Sequence, residues 1–123
     1  MGMNTLLATL FILYVLCMGV TPLSAMTVKE YRASRSDGEY PTLVKAYIRG
    51  VGEGIEYANT EAAGKNMAFY CEPGKLALGA DNYLNILDQS IKGNSDKMSK
   101  EALDEMPVEL LLLKGLEGTF PCK

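Results

Sequence analysis

Three cysteines constrain what this chain can fold into. Cys17 lies inside an apolar leader, and only Cys71 and Cys122 remain beyond it. Two cysteines in an exported domain of this size predict one structural disulfide, Cys71–Cys122, formed in an oxidising compartment. The bridge would tie the chain end to the front of the third helix and close a loop of about 50 residues. The chain-entropy model values that closure at roughly 4 kcal/mol. It is a large share of the about 5–15 kcal/mol that holds a small domain together. The pairing also removes the one strong nucleophile type from the catalytic candidates.

The leader is legible from charge. Residues 1–25 contain no Lys, Arg, Asp or Glu, and Leu6 to Val20 is an apolar run broken only by Thr9 and Gly19. That length suits a signal-peptide core and falls short of the roughly 20 residues of a spanning helix. Thr21-Pro22-Leu23-Ser24-Ala25 breaks the helix and supplies a small residue, predicting a signal peptide over 1–25 and a mature start at Met26. The alternative is an uncleaved anchor, since the amino terminus is the only charge ahead of the run. Leu16, next to Cys17, rules out lipoprotein processing, which needs a small residue there.

Residues 26–123 suffice for one domain with one core. The formal net charge is −3, with neither Trp nor His. Met26–Gly50 carries five cations and three anions; Val51–Lys123 carries seven and twelve. The basic stripe that nucleic acid requires is missing, so the acidic half reads as a solvated face or as a patch for a basic protein partner.

The periodicity is helical throughout. Thr27-x-x-Glu30 is a capping box that opens a first helix over about Val28–Arg35. Pro41 starts a second, with Leu43, Tyr47, Val51 and Ile55 as a stripe widened by Val44 and Ile48. Gly50, Gly52 and Gly54 weaken that helix by up to about 1 kcal/mol each, which predicts a close helix approach or a local break. Asn59–Asn66 reads as a loop or a frayed end. A third helix carries Leu76, Ala80, Tyr83, Leu84, Leu87 and Ile91, and Lys92–Asp96 breaks it. Met98–Glu105 predicts a short helix. Pro107 opens a last one, in which Leu110–Leu113 cover every face and Gly118 is the expected cap. The fold class is therefore all-α: a small four- to five-helix bundle stapled by one disulfide.

The sequence predicts no enzyme and no cofactor. Lacking His, the chain has no Ser-His or Cys-His pair and no His metal ligand. Glu53 and Glu56, three apart on a helix, read as a solvated pair. Ser95 and Lys97 share a polar loop without a surrounding motif. Met67, Met98 and Met106 fit core gaps better than copper. Tyr40, Tyr47, Tyr57, Tyr70 and Tyr83 are many for so short a domain, and exposed ones would anchor an interface.

Several pieces, taken in order, resemble a family. Tyr47-Ile48-Arg49-Gly50-Val51 precedes Tyr70-Cys71-Glu72-Pro73-Gly74, then a helix with Tyr83-Leu84, and Gly118-Thr119-Phe120-Pro121-Cys122 closes the chain. The set is similar to the Rap/Tai immunity proteins of type VI secretion systems, over about Val44–Cys122. The resemblance implies a periplasmic, all-helical, commonly dimeric protein that occludes the catalytic cleft of a peptidoglycan amidase effector. It also implies that Cys71 and Cys122 correspond to the family's disulfide, while contact residues do not transfer.

The expected function is thus an exported immunity-type inhibitor, periplasmic or secreted, with a protein partner, a possible homodimer and no membrane contact after leader cleavage. Rigid helices favour loop tips as contact surfaces, and Lys92, Asn94, Ser95, Asp96 and Lys97 form the best-placed tip. Their alternative is an ordinary solvated turn. Two other functions fit the same outline: a periplasmic acid-stress chaperone, or a structural subunit of an envelope complex docking through the leucine-rich helix.

Overall fold

The computed structural model describes residues 24–74 and 76–123. The expected signal peptide, 1–25, lies outside them except for Ser24 and Ala25. Among the described residues there are five helices: α1 (Val28–Ala33), α2 (Thr42–Ala63), α3 (Ala80–Asn94), α4 (Lys100–Asp104) and α5 (Val108–Thr119). α3 is the hub, packing on α5 and α2, while α2 also touches α5 and α1 lies on α4. No helix among the described residues is long and apolar enough to cross a membrane.

α1 starts as its capping box dictates: Glu30 N–H donates to Thr27 Oγ1 at 3.2 Å, and Thr27 N–H donates to Glu30 Oε2 at 2.8 Å. It stops at Ala33, two residues early, because the Ser34 hydroxyl bonds the Tyr31 carbonyl at 2.6 Å. Its approach is pinned by an isolated bridge between Thr27 and Pro107, with Val28 N–H on the Met106 carbonyl and Val108 N–H on that of Met26, both 2.9 Å. These bonds seat Val28 and Tyr31 in the core with Leu103 and Val108.

α2 begins directly after Pro41 and runs unbroken through all three glycines. Its buried face is rotated from the expected stripe. Val44, Ile48 and Gly52 are buried, Tyr47, Val51 and Ile55 are half-buried, and Leu43 is 81% exposed. The reason is Gly52. A Cβ there would lie 2.6 Å from three ring atoms of Tyr83, whereas one at Gly50 or Gly54 would meet nothing within 4 Å. One glycine of the three is therefore a close approach, and there is no break.

Asn59–Asn66, expected as a loop or a frayed end, is the end of α2 as far as Ala63 and a turn over Gly64–Asn66. Asn59 is engaged in tertiary bonding. Its Oδ1 accepts from Phe69 N–H (2.7 Å) and Tyr70 N–H (3.3 Å), and its Nδ2 donates to the Tyr70 carbonyl (2.9 Å). This clamp folds the connector back along α2 and drives Tyr70 into the core at 1% exposure.

α3 starts four residues later than Leu76, at Ala80, where the Asn82 side chain accepts the Gly79 N–H at 2.8 Å. It ends at Asn94, within the expected breaker Lys92–Asp96, and the Asn94 side chain donates to the Ser90 carbonyl at 2.8 Å. Tyr83, Leu84, Ile86, Leu87 and Ile91 give it the largest buried face. In α5, Leu111 and Leu112 are buried while Leu110 is 42% exposed. The helix runs past Gly118 to Thr119, and Phe120 caps it. Gly115 is the glycine that matters there: its Cβ would sit 2.7 Å from Ile86 Cγ2 and 3.1 Å from the Ile86 carbonyl. The α3 and α5 backbones meet at that point.

Cys71 and Cys122 are bonded, with Cα atoms 4.9 Å apart and both residues exposed. Beside the bridge, Cys71 N–H donates to the Phe120 carbonyl at 2.8 Å, and the Tyr70 and Phe120 ring centroids are 6.4 Å apart. The chain end is thus fastened to the connector ahead of α3, as the cysteine count predicts.

Candidate functional site

The polar tip singled out in the sequence is split by the helix that carries it. Lys92 and Ser95 face one shallow depression, shared with Arg32, Arg35, Tyr40 and Asp88. Asn94 and Lys97 face another, shared with Gln89, Ser90, Lys114 and Thr119. Asp96 lies exposed between them. Because Asn94 still belongs to α3, successive residues rotate around the helix and do not gather at one point.

The first depression is floored by a complete hydrogen-bond network. Tyr31 and Tyr40 hydroxyls both donate to Asp88 Oδ1, at 2.9 and 3.0 Å, and their rings stack with centroids 4.4 Å apart. The Arg35 guanidinium sits 5.2 Å over the Tyr40 ring. Burial, ahead of all other causes, pushes both phenols above their ordinary range. Both hydroxyls of this trio are satisfied by Asp88 Oδ1, which locks α1 and its turn onto α3.

A different cluster lies where α2, the connector and α3 meet. The close approach at Gly52 lets the Tyr83 ring cross α2, so its hydroxyl reaches Glu56, one turn on, at 2.9 Å. The Asn59 clamp brings in Tyr70 and Glu72 from the connector. The Tyr70 hydroxyl and Glu72 Oε1 are buried and have no hydrogen-bond partner among the described residues. Burial, then the charges of Glu72 and Glu56, pushes the Tyr70 phenol up to about 12. Glu72 is itself raised above the usual carboxylate range, by burial and then by the negative charge of Glu56. Beside Glu56 opens a cavity of about 190 Å³, lined also by Tyr57 and Thr60.

The two carboxylates paired in the sequence, Glu53 and Glu56, separate in function. Glu53 accepts from Arg49 Nε at 2.7 Å on the helix surface, whereas Glu56 turns to Tyr83. Glu72 reads in the sequence only as part of a turn, because the influence of the Glu56 charge on it depends on the connector folding back.

Around this cluster the surface is apolar. Tyr57 (77%), Met67 (62%), Phe69 (51%) and Leu76 (42%) are exposed. All come from the end of α2 or the connector clamped beside it. No family model matches the chain, and no curated protein or solved structure matches it. Among the described residues, no group of three or more His, Cys, Asp or Glu side chains is placed to hold a metal ion.

Proposed function

We propose that this chain is an exported immunity-type protein that binds a peptidoglycan amidase effector and occludes its catalytic cleft. The observation that carries the reading is the apolar connector, Met67 to Leu76, presented by a rigid and covalently fastened framework. Exposed aromatic and aliphatic side chains carried on one short connector suit a protein-docking surface. The Asn59 clamp and the disulfide keep the connector ordered before binding, which reduces the entropy lost on association. Net negative charge beyond Val51 favours a basic partner surface. The resemblance of the ordered motifs from Tyr47 to Cys122 to the Rap/Tai immunity proteins supports this effector class and an oxidising, periplasmic or secreted location.

A homodimer belongs to the same proposal. Tyr47 bonds Glu109 across the starts of α2 and α5, and exposed Leu43 and Leu110 flank that bond as the apolar face for a second copy.

The test is protection: cells exporting an amidase effector to the periplasm should survive when this protein is co-exported, and the two should co-purify. Replacing Phe69 with Asp should abolish both effects while leaving the fold intact. Failure to bind any such effector, including one encoded beside it, would defeat the proposal. The same exposed apolar residues also suit the acid-stress chaperone. That reading requires apolar-dye binding to rise steeply as the pH falls toward about 2.

A further inference from the structure

Glu109 uses only one of its carboxylate oxygens. Oε1 accepts from the Tyr47 hydroxyl, while Oε2 is buried with no hydrogen-bond partner among the described residues. Native folds rarely keep a buried carboxylate oxygen in that state without a reason. The same hydroxyl receives the Met26 peptide N–H at 3.5 Å, a long contact for an amide. Met26 is fixed in this place. Its carbonyl accepts from Val108 N–H, and Val28 N–H donates to the Met106 carbonyl, both at 2.9 Å. Glu109 follows Val108 directly, so the pairing that seats Met26 also positions the carboxylate. The chain changes character here: Ser24 and Ala25 are exposed and irregular, whereas Met26 is half-buried and packs on the core. The bond between Ala25 and Met26 is also where the leader is expected to be cut.

We infer that leader removal turns the Met26 nitrogen into an α-ammonium that pairs with Glu109 and Tyr47, so that the cut itself completes the junction of α1, α2 and α5. Hydrolysis adds water across the Ala25–Met26 bond. The water oxygen leaves on the Ala25 carboxylate, and its two protons go to the Met26 nitrogen. One neutral N–H thereby becomes three charged donors. One donor stays on the Tyr47 hydroxyl while another turns to the Glu109 carboxylate, in the stronger charge-assisted form. Glu30, whose carboxylate caps Thr27, brings a second negative charge to the same hydroxyl. With the leader attached, this place holds a single neutral N–H, and Glu109 remains half satisfied. Processing therefore acts as a latch: the first residue of the mature chain is tied by charge to the start of the last helix.

The inference rests on export with leader removal and on no effector. Intact mass and N-terminal sequencing of the exported protein should find Met26 first. In that protein, NMR titration at Met26 should place the α-amine above its ordinary range of about 7.7–8.0. The groups that set it are Glu109 from α5, Glu30 from α1 and the Tyr47 phenol from α2. Burial, and then the bond to Glu109, hold that phenol above its ordinary range, so it stays neutral. Stability from the pair is present below about pH 8 and lost as the pH rises through the raised value. A form that keeps Ser24-Ala25 ahead of Met26 should show a folding equilibrium constant at pH 7 lower by at least about tenfold. In Glu109→Gln the same extension should change little. If Glu109→Gln fails to fold, the amine titration decides alone. Another first residue, an amine in the ordinary range, or an equal effect of the extension in both backgrounds would overturn the inference; a buried water on Oε2 would give the last result. The coupling without any amidase partner would support the inference and remove the inhibitor reading. Protection by a chain with another first residue would do the reverse.

Discussion

Gly52 and the ring of Tyr83 occupy the same contact: a single methyl on the glycine would come within 2.6 Å of the aromatic carbons. Tyr83 is fully buried between α2 and α3, so its ring has nowhere to swing. Gly52→Ala should therefore destabilise, because overpacking of about 1–3 kcal/mol exceeds the helix-propensity gain of up to about 1 kcal/mol. Gly50→Ala and Gly54→Ala, in open space on the same helix, should stabilise by about 0.5–1 kcal/mol. Chemical denaturation of the three variants gives the comparison, and a uniform sign across them would contradict the packing described for α2.

Reduction of the bridge should be easy and expensive. Both cysteines are exposed, so reagent reaches them in the folded state. The sequence separation of 51 corresponds to roughly 4 kcal/mol in the chain-entropy model. At about 4–8 °C per kcal/mol for a domain of this size, Cys71→Ser should melt roughly 15 °C or more below the parent. Calorimetry with and without reductant measures it.

Asp88 holds two phenols, one of them fully buried. Asp88→Ala should cost about 1–3 kcal/mol for each hydroxyl left without an acceptor. Tyr31→Phe, which removes one donor and leaves the Tyr40 bond, should cost about 1 kcal/mol. Urea titration of the two variants separates these values.

Glu72 gives the fold a pH dependence with a definite sign. Burial, and then the charge of Glu56, hold its carboxyl above the ordinary carboxylate range in the folded state, so the folded state binds the proton more tightly than the unfolded state. Stability should therefore rise as the pH falls through the raised folded value, and level off below about 4.5 as far as this group is concerned. Glu30 runs the other way. The backbone N–H and then the hydroxyl of Thr27 hold it below its ordinary value, so its contribution is lost only at still lower pH. Glu72→Gln should accordingly raise the melting temperature at pH 7 and have little effect at pH 4.

The sequence was most readable where a signal was local. The Thr27 capping box, the Pro41 and Pro107 starts and the Tyr83–Leu84–Leu87–Ile91 face all depend on neighbours within a few residues. The disulfide followed from counting. What escaped were effects made by distant partners. Gly115 carries no local signal, and its role is made by Ile86 packed against it. The polar run after Ala58 reads as a loop or a frayed end, because nothing local shows that Asn59 will bind the connector. The candidate site shares that character: Glu56 and Glu72 lie 16 residues apart, and Glu72 feels the charge of Glu56 only because the chain doubles back.

The position of the bridge has a mechanical consequence. Tension applied to the chain beyond Cys122 passes through sulfur to Cys71 before it can peel α5 from α3. A tether or fluorophore attached there would report the orientation of the whole bundle, and pulling on it would leave α3 to α5 as a closed covalent ring that cannot be drawn out.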